Sequence, residues 1–336
     1  MSLLKNYKLE DMQGKNVLVT GGLGFIGSNI AHKCVGLNAK VTIYDACLEP
    51  YGWNFANIKE IKDEVEFVKG DIRNIKLFSK HIKNKDIIFD CAAQISHTIS
   101  IKKPFLDIDI NCRGPMTILE CARKFNDKVK IVYAGTRGQI GRLKYKPADE
   151  NHPTEPTDIN GINKLAAEKY YLFYNKIYGL KTASIRINNT YGIRSQMRHG
   201  DYSIVNWFVR KALLNEPISI HGSGTQTRDF NYVEDVADAM LLAAQKEKAN
   251  GEIFMLGSGK ETKFIDMLNL IIKLTNYGQK IKNIQRPKDR QSIEIGNFFV
   301  SYEKIKKIIG WEPKTELEDG LKKTIDFYKY RLKEYL

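Results

Sequence analysis

Three glycines mark the first place where this chain could do chemistry. In VLVTGGLGFIGSNIA, Gly21, Gly24 and Gly27 stand three residues apart, directly after an apolar run and at the start of a helical period, with Phe25 and Ile26 between the last two. Glycine lets a backbone turn sharply and approach a pyrophosphate, whose charge a helix N-terminus favours. A second apolar run ends at Asp45, 18 residues beyond the third glycine. A carboxylate at that distance holds a ribose 2′-hydroxyl and repels a 2′-phosphate, so the expected cofactor is NAD and not NADP. A third run ends in KGDIRN, where Asp71 and Ile72 are placed to frame an adenine.

The elements that must position these groups show in the hydrophobic pattern. Short β-rich runs at 16–20, 40–45, 65–71, 87–93, 130–136 and 181–187 alternate with longer helical periods such as GPMTILECARKF. Continuously apolar strands separated by helices predict a parallel sheet covered on both faces. The fold class expected is therefore α/β, a doubly wound parallel Rossmann sheet with a smaller mixed α/β C-terminal substrate lobe. Residues 1–190 form the dinucleotide-binding domain, with a returning segment at 230–258. Residues 191–229 and 259–336 form the lobe. The cleft between them lies at the carboxyl ends of the strands, where ligands of open α/β sheets bind.

Composition narrows the class. The 336 residues are 43% hydrophobic and 27% charged, ordinary for a globular protein. No apolar run approaches the roughly 18 residues a bilayer needs, and the N-terminus lacks the uninterrupted apolar segment of a secretory signal. Cytoplasmic location is the expectation, with no membrane partner. The net charge is +14, but the basic residues are spread along the chain and no nucleic-acid module stands out, so no nucleic acid is expected as a partner. The five cysteines are scattered without a CxxC pair, so they are read as core residues, with neither a disulfide framework nor a metal site.

Taken together, the motifs resemble the extended short-chain dehydrogenase/reductase family, in its nucleotide-sugar epimerase and dehydratase branch. Besides the glycines, Asp45 and Asp71, the matches are AAQ (with Ala92 and Ala93), PFLDIDINCRG, Thr136, Lys164, RINNTYG, GSGTQTRDFNYVEDVADA and IGWEPKTELEDGL. The resemblance implies a bound NAD that takes a hydride from a nucleoside-diphosphate sugar and later returns it. It also implies a Ser/Thr–Tyr–Lys group that handles the hydroxyl proton. Thr136 matches the hydroxyl position, and Lys164 the lysine that bonds the nicotinamide ribose. Substrate contacts carried over in the same way are Asn189, Arg228 and Arg286 for the diphosphate, with Arg194 in IRSQMRHG a further candidate. Family members commonly dimerise through helices that match MTILECARKF and KLAAEKYYLFY, so a homodimer is expected.

One position departs from the pattern. Where the tyrosine belongs stands Asn160, whose amide cannot titrate and so cannot be a general base. His97 lies in the loop that in relatives borders sugar and nicotinamide, and a histidine side chain titrates near pH 6.5 (about the range proton transfer requires). It is one candidate for a relocated base, and a water held by Asn160, Thr136 and Lys164 is the other. In dehydratase relatives acidic residues follow the hydroxyl position, whereas Thr136 is followed by Arg137, Gly138 and Gln139. Epimerisation, most simply at C4, is therefore favoured. The alternatives are a dehydratase, reductase or dehydrogenase with an atypical proton relay, and a non-catalytic NAD and nucleotide-sugar binder.

Overall fold

In the computed structural model, residues 7–285 and 294–336 are described. Seven parallel strands form one sheet: β1 (Asn16–Thr20), β2 (Lys40–Asp45), β3 (Val65–Lys69), β4 (Ile87–Asp90), β5 (Lys130–Thr136), β6 (Lys181–Ile187) and β7 (Ile253–Leu256). Their order across the sheet is β7-β6-β5-β4-β1-β2-β3. The direction of winding reverses between β1 and β4, and a doubly wound sheet opens a ligand crevice at that point.

The period-2 alternation of the strands decides which face each side chain covers. Val17 and Val19 of β1, Phe89 of β4 and Val132 of β5 enter one core. Their neighbours Leu18, Ile88, Ile131 and Tyr133 enter the other. The first core is closed by helices α1 (Phe25–Gly36) and α5 (Val233–Gln245) through Ile30, Ala31, Met240 and Leu241. The second is closed by α2 (Ile75–Ile82), α3 (Gly114–Phe125) and α4 (Ile159–Tyr178) through Phe78, Ile118, Leu119 and Tyr171. Each such buried aliphatic or aromatic side chain contributes about 1.5–3 kcal/mol, which outweighs the strands' modest intrinsic preferences.

Helix α4 has well-defined ends. The Asp158 side chain caps its start by accepting from the Gly161 N–H, and Gly179 ends it in the left-handed region at φ 70°. Glu168 on α4 pairs bidentately with Arg186 of β6, at 3.0 and 2.7 Å, in a fully buried setting. That pair fixes the register of α4 on the sheet, and hence the height of Asn160 and Lys164 above it.

The chain leaves the sheet after β6, builds a lobe, and returns for α5 and β7. Short strand pairs join Asn189–Tyr191 to Phe230–Tyr232, Thr227–Arg228 to Thr262–Lys263, and Ser219–His221 to Lys282–Ile284. A separate apolar cluster including Phe208, Val209, Met267, Leu268, Leu321 and Tyr328 holds the lobe together. Its helices are Ile204–Leu213, Phe264–Thr275 and Leu317–Lys329. Among the described residues, no helix is long and apolar enough to cross a membrane. Nor does any His, Cys, Asp or Glu cluster suit a metal, and all five cysteines are free thiols.

Candidate active site

The turn after β1 shows why glycine is required there. Gly21 has φ 63°, and a Cβ on it would sit 2.8 Å from the Cys91 carbonyl oxygen. At Gly27 a Cβ would come 2.4 Å from the Gly21 oxygen. A side chain at Gly21 would push the turn away from the end of β4, and one at Gly27 would collide with the turn's own backbone.

That space is a cleft of about 440 Å³ at the carboxyl ends of β1, β2, β4 and β5. Gly21, Gly24, Phe25, Ile26 and Gly27 line it, as do Asp45, Asp71, Ile72, Ala92 and Ala93. Asp45 accepts from the Leu23 N–H at 3.1 Å and the Cys47 N–H at 2.9 Å, so the glycine turn is tied to the end of β2. Burial pushes its carboxyl up from the ordinary range, opposed by those two N–H groups. Burial also works to raise Asp71, but the bidentate Arg73 contacts at 2.9 and 2.6 Å outweigh it and hold that carboxyl low.

Thr136, Asn160, Lys164 and His97, collected from β5, α4 and the start of the short helix His97–Lys102 that follows β4, line the same cleft. Thr136 ends β5; its Oγ1 accepts from the Gly138 N–H at 3.2 Å, which leaves its own proton to donate. Lys164 Nζ donates to the Ala134 carbonyl at 3.0 Å and lies 4.9 Å from the Tyr133 ring centroid. Burial pushes the Lys164 ammonium pKa down, with Asp90 the leading opposing charge.

Asn160 is held in a buried amide network. Its Nδ2 donates to the Gln94 carbonyl at 2.8 Å and lies 3.3 Å from Asp107 Oδ2. Asp107 also accepts from Gln94 Nε2 at 2.6 Å and Asn163 Nδ2 at 2.8 Å. The amide therefore braces the loop after β4 against α4, a task a phenol could not perform with the same donors.

His97 has a partner the sequence did not disclose. Its Nδ1 lies 2.6 Å from Asp158 Oδ2, while Asp158 Oδ1 accepts from the Gly161 N–H at 2.9 Å. The Asp158 side chain is only 5% exposed. Burial works to raise its carboxyl, yet the hydrogen bond and charge of His97, with Gly161 and Arg137, hold it below the ordinary range. An ionised carboxylate only accepts, so Nδ1 carries the proton and Nε2 of a neutral ring is left as an acceptor.

The arginines divide. Arg137 lines the cleft beside Thr136. Arg228 donates to Glu294 at 2.7 Å and to the Thr227 and Gly296 carbonyls, and Arg194 reaches Asn29 Oδ1 at 3.0 Å and packs over Phe327. Neither of these two is among the residues lining the cleft. Arg286 lies outside the described residues. Asn189 does line the cleft, and its Oδ1 is buried without a partner among the described residues, as are Asn188 Nδ2, Trp53 Nε1 and the Tyr202 hydroxyl, which also belong to the lining. Four orphaned polar atoms in the lining of one cleft are what a polar ligand would satisfy. With the glycine turn and the Asp45 carboxylate, they fit a dinucleotide with a second, polar molecule beside it.

A sheet wound in this order, with a glycine turn beneath a cleft at its reversal, defines a dinucleotide-binding protein of the short-chain dehydrogenase/reductase class. Residues 18–324 match the family described as GDP-mannose 4,6 dehydratase, and the chain belongs to that family. A protein of Methanocaldococcus jannaschii assigned as a UDP-glucose 4-epimerase is 36% identical, over 93% of this chain and 98% of that protein. The UDP-glucose 4-epimerase of Thermotoga maritima, solved with UDP-glucose, superposes with a TM-score of 0.87 at 31% identity, covering 94% of this chain and 99% of that one. The dTDP-glucose 4,6-dehydratase of Bacillus anthracis, solved with NAD, superposes with a TM-score of 0.85 at 28% identity, covering 96% and 99%. Epimerases and dehydratases thus both stand among the relatives.

Proposed function

We propose that this protein is an NAD-dependent epimerase that inverts C4 of a nucleoside-diphosphate sugar, with His97 moving the proton. The observation that carries the reading is the His97–Asp158 contact at 2.6 Å in the cleft shared with Thr136 and Lys164. The residues that would hold NAD are the glycine turn, Asp45, Asp71 and Ile72, Ala92 and Ala93, and Lys164. The chemistry NAD supplies there is removal of a hydride from a sugar carbon and its later return.

The protein's own residues do the rest. Asp158 fixes the imidazole tautomer and orientation, so Nε2 accepts the proton of the reacting hydroxyl and gives it back after the ring has turned over. Thr136 donates a hydrogen bond to the same sugar oxygen. Lys164 keeps a positive charge beside it, which favours the developing alkoxide. Asn160 positions the segment that carries His97. Asn189 contacts the diphosphate, while Arg228 and Arg194 add positive charge around the lobe. No carboxylate follows Thr136, so the proton donor that elimination of water requires is missing from that position.

A homodimer in the cytoplasm is part of the proposal. Ile162, Phe173 and Ile177 share one face of α4 and are each half exposed, an apolar stripe suited to a second copy.

The test is direct. The purified holoprotein is incubated with UDP-, GDP-, CDP- and dTDP-sugars and followed by NMR. Inversion at one carbon supports the reading. Loss of water favours the dehydratase, and binding without turnover across the panel favours a non-catalytic protein.

A further inference from the structure

Among the described residues, the Arg137 side chain has an aromatic neighbour but no acceptor. Its guanidinium carbon lies 5.4 Å from the Phe298 ring centroid, and no hydrogen bond or ion pair joins it to any described residue. The charged groups around it are Asp158, Glu294 and Arg228. Both carboxylates are already engaged: Asp158 by His97 and the Gly161 N–H, and Glu294 by Arg228 and the Gly296 N–H. Its guanidinium donors are thus left without a described protein acceptor in the lining of a cleft that also contains Thr136. The side chain is half-buried at the cleft wall, where a guanidinium without a protein acceptor is open to an anionic ligand.

We propose that Arg137 receives a carboxylate carried by the sugar itself, so that the substrate is a nucleoside-diphosphate uronic acid. The inference rests on the nucleotide-sugar reading above. Position separates the two anionic parts of such a substrate. Arg137 is the chain neighbour of Thr136, which meets the C4 oxygen, and a C6 carboxylate is two bonds from C4. The diphosphate leaves from C1, across the pyranose ring. A guanidinium fork matches a carboxylate bidentately. Burial and the like charge of Arg228 push the Arg137 pKa down to about 9, a penalty that an anion at this place would relieve.

The experiment measures calorimetric binding to NAD-loaded protein within two matched pairs, UDP-glucuronate against UDP-glucose and GDP-mannuronate against GDP-mannose. The base cancels within each pair. Wild type is expected to bind the uronate at least about tenfold tighter in whichever pair it accepts. Arg137→Gln should bring the two members within about twofold, with Arg137→Lys between. Equal affinity of wild type for both members overturns the inference, even should the variants fail to fold. So does an Arg137→Gln loss of equal size for both members, which assigns the guanidinium to the diphosphate. If the neutral sugar binds and is epimerised without preference, only this inference falls. If no member of either pair binds and the CDP- and dTDP-sugars of the panel do not bind either, the nucleotide-sugar reading falls with it.

Discussion

Replacing Asp158 by asparagine separates a catalytic role of the His97 pair from a structural one. Asparagine is isosteric and caps helices as well as aspartate does, so the bond from the Gly161 N–H at 2.9 Å survives. What is lost is the charge facing His97 Nδ1 at 2.6 Å. A hydrogen bond to a charged group is worth about 1.5–3 kcal/mol. At about 1.4 kcal/mol per decade, that predicts a ten- to hundredfold fall in kcat/KM. The fall should lie mainly in kcat, because the ring is needed most as the proton moves. His97→Ala should cost about 10²–10⁴-fold. In the His97→Ala background, Asp158→Asn should then cost less than about twofold, since aspartate acts through the ring. Thermal unfolding should fall by a few degrees in Asp158→Asn, with the cap kept, and further in Asp158→Ala, which also loses the cap, worth about 1 kcal/mol. Steady-state kinetics on the sugar the panel identifies, with unfolding scans of wild type and the four variants, would decide the matter. Wild-type kcat/KM in Asp158→Asn, or full additivity with His97→Ala, would refute the pairing.

Other outcomes follow from the same geometry. Burial pushes the Lys164 pKa down, and the charged form is the one required, so activity should fall as pH rises at a lower pH than an ordinary lysine would give. A kcat profile from pH 7 to 11 reads this limb, and a plateau past the ordinary lysine range would contradict it. Asn160→Tyr forces a ring into a site that is 3% exposed and removes the donor to the Gln94 carbonyl. It should lower stability by about 1–3 kcal/mol and reduce activity, and a gain of activity on NMR assay would show that the amide is a lapsed tyrosine. Phe173→Glu with Ile177→Lys should turn a dimer into a monomer by light scattering, with NAD still bound; an unchanged mass would move the interface elsewhere.

Much of the frame was legible because it rests on local rules. Strands such as β1 and β5 are apolar runs whose alternation sends neighbours to opposite faces. The glycines at 21 and 27 are required by backbone contacts within the turn itself and with the strand beside it. Asp45 closes β2, where the spacing put it. The site was legible only in part. Asp158 carries no motif of its own, and its contact with His97, 61 residues away, depends on how the segment after β4 lies over α4. The brace around Asn160 joins Gln94, Asp107 and Asn163, which are polar residues that sequence alone leaves on the surface. Arg228 and Arg194 show the converse. Their types suit phosphate, yet each is engaged by neighbouring side chains, a choice made by packing and not by spacing.

The most direct test of the hydride mechanism is to run the reaction in D2O and read the sugar by proton NMR. Hydride taken and returned within one cleft inverts C4 while the carbon keeps its original hydrogen, with no solvent deuterium at that position. Deuterium at the inverted carbon would mean that a proton and not a hydride was removed, and loss of water without inversion would place the protein among the dehydratases.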